Sequence, residues 1–216
     1  MTNTTSASGT DRDGDANRVV TIVSGLPRSG TSLMMQMLHA GGLPALTDGL
    51  RVADENNLRG YFEYEPVKRL RSDRAWLPQA RGQVVKIIHL LLRDLLLDGS
   101  LQYRVVFMRR PTDEVLASQR AMLQREGKAG ADPAVLKKAF ETQLAQLDAW
   151  MAAQPCIRVL NVDYHRVVQQ PQAVADELQG FLDRPLDTAA MVRAVDPALH
   201  RQRSAVSVPG SASPAV

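Results

Sequence analysis

Eight residues near the start of the chain, Gly25-Leu-Pro-Arg-Ser-Gly-Thr-Ser32, combine two glycines, one cation and three hydroxyls in a turn-sized segment. They follow the apolar run Val19–Val23 and precede Leu33, Met34, Met37 and Leu38, which fall on one helical face. A glycine-bearing turn between a buried strand and a helix suits phosphate. The first N–H groups of the helix lack intrahelical partners, and its dipole adds positive potential there. The spacing is that of G-x-x-x-x-G-K-[ST], with Thr31 in place of the lysine. In triphosphate-hydrolysing enzymes that lysine bridges the β- and γ-phosphates, so its replacement argues against a triphosphate donor. The loop's own cation is Arg28, three residues earlier.

Further along, Val105-Val-Phe-Met-Arg-Arg-Pro-Thr-Asp-Glu-Val-Leu-Ala-Ser118 reads as a strand, a basic pair and a helix. Ligands of open α/β sheets bind at such carboxyl ends of strands. Taken alone, Arg109-Arg110 is an ordinary charged strand end and Ser118 a helix-surface serine; behind a phosphate loop they read as a second anion site. Two groups of residues are suited to general-base work. One is the carboxylate pair Glu63 and Glu65 in Gly60-Tyr-Phe-Glu-Tyr-Glu65, which follows Asp54-Glu-Asn-Asn-Leu-Arg-Gly; the other is His89, after Val84-Val-Lys-Ile-Ile. The plainer readings are surface carboxylates and a satisfied histidine among leucines.

Pro27-Arg-Ser-Gly-Thr-Ser32 resembles the 5′-phosphosulfate loop P-[KR]-[SG]-G-[TS]-[TS] of sulfotransferases that use 3′-phosphoadenosine 5′-phosphosulfate (PAPS). The resemblance implies that the loop Pro27, Arg28, Ser29, Gly30, Thr31 and Ser32 forms the donor site, with Arg28, Gly30, Thr31 and Ser32 holding the phosphosulfate. Arg110 and Ser118, eight residues apart, match the pair that clamps the 3′-phosphate in that family. Arg109 is left to contact the donor or to pair with a carboxylate. Asn161-Val-Asp-Tyr-His-Arg-Val-Val resembles the family's fourth strand, making Tyr164 a candidate adenine contact. His200-Arg-Gln-Arg203 sits where many members return a basic segment to the 3′-phosphate, which singles out Arg201 and Arg203. For the base, G-Y-F-E resembles the acceptor side of bacterial and Golgi-type members, so Glu63 is preferred. His89 lies near the place of the cytosolic members' K-T-H base, though Lys86 and His89 are three apart instead of two. Glu65 is the third choice. The chemistry implied is transfer of SO₃ to a hydroxyl or amine, with Arg28 and the loop N–H groups stabilising charge on the departing phosphate. No metal is expected, because the transferred group carries less charge than a γ-phosphate.

The elements needed to position these residues are present. Val19–Val23, Val84–Ile88, Val105–Met108 and Ile157–Val162 read as strands buried on both faces. Helical patterns separate them: Val115, Leu116, Met122 and Leu123; Leu136, Phe140, Leu144, Leu147 and Met151 after an Asp132-Pro133 start; and Val174, Leu178, Phe181 and Leu182 after Pro171. Strands alternating with helices predict an α/β, three-layer P-loop-type fold, a parallel sheet covered by helices on both faces. This domain spans 18–203, flanked by tails 1–17 and 204–216 that are poor in large apolar side chains and read as disordered.

Composition narrows the function further. The net charge of +3 does not indicate nucleic acid, and of 26 Lys and Arg residues five are Lys and 21 Arg. Arg suits phosphate and sulfate, although compositional bias produces the same excess. One cysteine, Cys156, permits neither an internal disulfide nor a cysteine-based metal site, and the four histidines lack metal-ligand spacing. The longest apolar run, Ile87–Leu97, is broken by His89, Arg93 and Asp94, so no membrane span is expected. Without a secretory signal pattern, a cytoplasmic setting is the expectation. Two alternatives share the loop: a P-loop small-molecule kinase and a non-catalytic nucleotide-binding protein. Sugar, lipid, phenol, amine and peptide acceptors all fit the sequence, and no residue pattern selects an oligomeric state.

Overall fold

The computed structural model describes residues 18–49 and 62–195. Four strands form one parallel sheet: β1 (Val19–Gly25), β2 (Val84–Lys86), β3 (Gln102–Arg109) and β4 (Ile157–Asp163), in the order β2-β1-β3-β4. Among the described residues, six α-helices accompany them: α1 (Thr31–Ala40), α2 (Thr112–Arg125), α3 (Pro133–Ala152), α4 (Tyr164–Gln169), α5 (Pro171–Leu182) and α6 (Thr188–Ala194). The chain leaves β1 towards β2 on one side, while β3 lies on the other. Open sheets with this reversal of strand order bind ligands in the crevice outside the carboxyl ends of the two strands that flank it, here β1 and β3.

The period-two alternation of the strands supplies both faces of the sheet. Val20, Ile22, Val105 and Phe107 pack with Leu147 and Met151 of α3 and with Leu77 and Leu92 of the intervening turns. Val23, Val106 and Met108 pack on the other face, with Met34 and Leu38 of α1, Val174 and Leu178 of α5, and Met191 of α6. The three-layer α/β architecture is therefore observed. Asp132 caps α3 as its position before Pro133 implies, accepting a 2.8 Å bond from the Ala134 N–H.

Three details depart from the sequence reading. β2 stops at Lys86: Ile87 still donates to the Val23 carbonyl at 3.0 Å, but Ile88 turns outward and His89–Asp94 wind into a 3₁₀ turn. β4 is an edge strand that exposes Arg158 and Asn161, so it is not buried on both faces. Its neighbour Tyr164 is helical, because the Asp163 carboxylate accepts from the Arg166 N–H and starts α4 there. Among the described residues no helix is long and apolar enough to cross a membrane.

Candidate active site

Gly30 closes the loop after β1 in a left-handed conformation, φ +99°, immediately before α1. A Cβ there would lie 2.5 Å from Cδ2 of Tyr164, so no larger residue fits without moving that ring. Arg28 is also left-handed, φ 72°, which costs a non-glycine residue about 1–2 kcal/mol. Two long-range bonds hold it there. Its carbonyl accepts from an Arg110 terminal nitrogen at 3.2 Å, and its own Nε donates to Ser118 Oγ at 3.1 Å. Ser29 is 1% exposed, and its Oγ has no hydrogen-bond partner among the described residues. Buried hydroxyls are normally satisfied. An orphaned hydroxyl, a helix N-terminus and an arginine in one loop form a donor set that fits an anionic phosphate or phosphosulfate group. Thr31 and Ser32 open the helix half-buried, and Pro27 is exposed.

β3 brings the second motif to the same crevice. Pro111 lacks the N–H that would continue the ladder and instead turns the chain into α2, leaving Arg109 and Arg110 at the strand end. Arg110 and Ser118 are not bonded directly; both reach Arg28, eighty or more residues away in the chain, and meet through it. Arg110 is nearly buried. Its Nε donates to Glu114 Oε2 at 2.9 Å, and its guanidinium stacks on the Tyr164 ring, 4.5 Å from the centroid. Tyr164 is therefore enclosed between Gly30 and Arg110. Burial raises its phenol above the usual range, and the nearby Arg110 and Arg28 cations work against that shift. Arg109 takes the other course open to it: it pairs with Asp148 of α3, donates to Asn161 Oδ1 at 2.7 Å and covers the Phe107 ring. Arg201 and Arg203 lie outside the described residues.

The three base candidates are placed very differently. Residues 44–46 run alongside β2, with bonds of 2.8 and 2.9 Å between Val84 and Pro44 and Leu46. The following Thr47 hydroxyl and Asp48 N–H both bond the Glu63 carbonyl, at 2.8 and 3.2 Å. These contacts set Glu63 beside β2, where its carboxylate lies 3.8 Å from Lys86 Nζ and is 30% exposed. Lys86 is in register with Val23 of β1, two residues before the loop. Glu65 faces outward in a surface pair with Lys68 at 2.7 Å, which raises the lysine's pKa. His89 is 3% exposed. Its Nε2 is 3.2 Å from Gln143 Oε1 of α3, while Nδ1 has no partner in hydrogen-bonding geometry among the described residues. Burial lowers its pKa, opposed by Gln143 and the adjacent Gly25 backbone. Glu63 is thus the candidate held half-buried against the sheet, beside Lys86 of β2, whereas Glu65 and its Lys68 partner are both more than half exposed.

Sequence reasoning missed Glu114 and His165, which meet at 3.1 Å and complete the surroundings of Arg110. The i,i+4 spacing of Arg110 and Glu114 was the available signal. Among the described residues no three His, Cys, Asp or Glu side chains form a group able to hold a metal ion.

No protein-family model and no curated protein sequence matches the chain. Among solved structures, it is similar to the sulfotransferase domain from the curacin biosynthetic pathway, with TM-score 0.50 and 15% identity over 82% of this chain and 77% of that one. Other similar structures are the sulfotransferase domain from the Synechococcus PCC 7002 olefin synthase (TM-score 0.49, 15% identity, 89% and 90% covered) and a sugar kinase from Janibacter sp. HTCC2649 (TM-score 0.41, 16% identity, 80% and 97% covered). The first of these likenesses establishes that the chain has the fold of a sulfotransferase domain.

Proposed function

We propose that this protein is a PAPS-dependent sulfotransferase that uses the crevice between β1 and β3 for the donor. The observation that carries the proposal is the convergence of two anion-binding motifs on one residue: Ser118 and Arg110, from the second motif, both bond Arg28 of the loop, at 3.1 and 3.2 Å. A donor with a phosphosulfate at one end and a 3′-phosphate at the other requires two such motifs side by side. In this reading Arg28, Ser29, Gly30, Thr31 and Ser32 hold the phosphosulfate, and Arg110 and Ser118 recognise the 3′-phosphate.

The donor supplies an activated sulfuryl group whose S–O bond to the nucleotide phosphate breaks as the acceptor's oxygen or nitrogen bonds to sulfur. The electron pair of the broken bond stays on the phosphate, where Arg28 and the N–H groups at the start of α1 stabilise it. Glu63 takes the proton released by the acceptor, and Lys86 orients its carboxylate.

Arg28 supplies the positive charge needed at the leaving group, so the reaction is expected to proceed without a divalent cation. Release of adenosine 3′,5′-bisphosphate from PAPS, with a panel of alcohols, phenols and amines, should continue in excess chelator. Abolition by chelator with rescue by Mg²⁺ would point instead to a kinase, and nucleotide binding without turnover on any acceptor to a binding protein.

A further inference from the structure

Glu114 is the one buried carboxylate among the described residues, 4% exposed. Acidic residues in the first turn of a helix usually sit in solvent, where they complement the dipole. Asp113 does so at 70% exposure, paired with Lys137, whereas Glu114 points inward. A buried carboxylate is unfavourable unless its oxygens are engaged, and both are: Oε2 accepts from Arg110 Nε at 2.9 Å, and Oε1 lies 3.1 Å from His165 Nε2 of α4.

Arg110 is consequently held on three sides. Glu114 takes Nε, the Arg28 carbonyl takes a terminal nitrogen, and the Tyr164 ring lies under the guanidinium plane. A guanidinium presents its donors in a rigid planar fork, so fixing Nε fixes the direction of the remaining N–H groups. Tyr164 also walls Gly30, which extends the arrangement from Glu114 to the phosphate loop.

We propose that Glu114 is a positioning residue of the donor site: its carboxylate, at the reach of a glutamate side chain, sets the plane in which Arg110 recognises the 3′-phosphate. This inference rests on the donor reading given above.

The test uses calorimetric titration of the full chain with adenosine 3′,5′-bisphosphate and with adenosine 5′-monophosphate, which differ only in the 3′-phosphate. The readout is the ratio of the two affinities. Glu114→Asp keeps the charge but withdraws it from Arg110, and should lower the ratio about tenfold, the worth of a charged hydrogen bond. Glu114→Gln keeps the reach and an accepting oxygen, and should hold the ratio within about threefold of the unsubstituted protein. Arg110→Ala provides the reference. If it leaves the ratio intact, the donor reading fails and this inference with it. If it collapses the ratio while Glu114→Asp does not, the positioning role alone is overturned. Equal losses for Glu114→Gln and Glu114→Asp would also overturn it, as would a loss shared by both nucleotides and tracking the melting temperature.

Discussion

Replacing Glu63 with glutamine is expected to lower turnover by about 10²–10⁴, the usual worth of a general base, while leaving nucleotide affinity near that of the unsubstituted protein. Glutamine keeps the shape of the side chain and its backbone contacts to Thr47 and Asp48, but cannot accept the acceptor's proton. His89→Asn is the matched control and should cost far less. That imidazole is 3% exposed and has Nε2 engaged by Gln143, which ties the 3₁₀ turn to α3 without presenting the ring to an acceptor. The readout is kcat with a saturating donor for each variant. A dead histidine variant beside an active glutamine variant would place the base at the end of β2 instead.

Arg110→Ala should weaken adenosine 3′,5′-bisphosphate about tenfold to a hundredfold and adenosine 5′-monophosphate hardly at all, because a charged hydrogen bond to the 3′-phosphate is lost. The same substitution strands the Glu114 carboxylate in a buried position. Breaking a buried pair costs up to about 3–5 kcal/mol, and His165 on the other oxygen recovers part of it. A lower melting temperature is therefore part of the expected result, and the monophosphate titration confirms that the site still forms. Equal losses for both nucleotides would contradict a 3′-phosphate role.

The elements carrying the candidate site were legible where a single local rule decided them. Apolar β-branched runs marked the central strands, the basic pair Arg109-Arg110 marked the end of β3, and Asp132-Pro133 marked the start of α3. The loop was readable because its chemistry lies within eight consecutive residues. What escaped depends on distant partners. Ser118 is bonded to Arg28 rather than Arg110, across ninety positions of sequence. The resemblance places Tyr164 with the fourth strand, whereas the apolar pattern ends at Val162 and Asp163 is a capping signal for the helix that Tyr164 opens. Its ring is enclosed by Gly30 and Arg110, which no spacing within its own segment announces. The exposures that separate Glu63, Glu65 and His89 arise from how residues 44–48, the 3₁₀ turns and α3 pack around β2. Three acidic or imidazole side chains look alike until that packing is known.

The proposed function requires the crevice between β1 and β3 to recognise a nucleotide with a 3′-phosphate rather than a triphosphate. Calorimetric titration of the unsubstituted protein with adenosine 3′,5′-bisphosphate, adenosine 5′-monophosphate and ATP, each with and without Mg²⁺, tests it most directly. The bisphosphate is expected to bind at least about tenfold tighter than the monophosphate, and tighter than ATP, regardless of Mg²⁺. Tighter binding of ATP with Mg²⁺, together with a bisphosphate no better than the monophosphate, would contradict it.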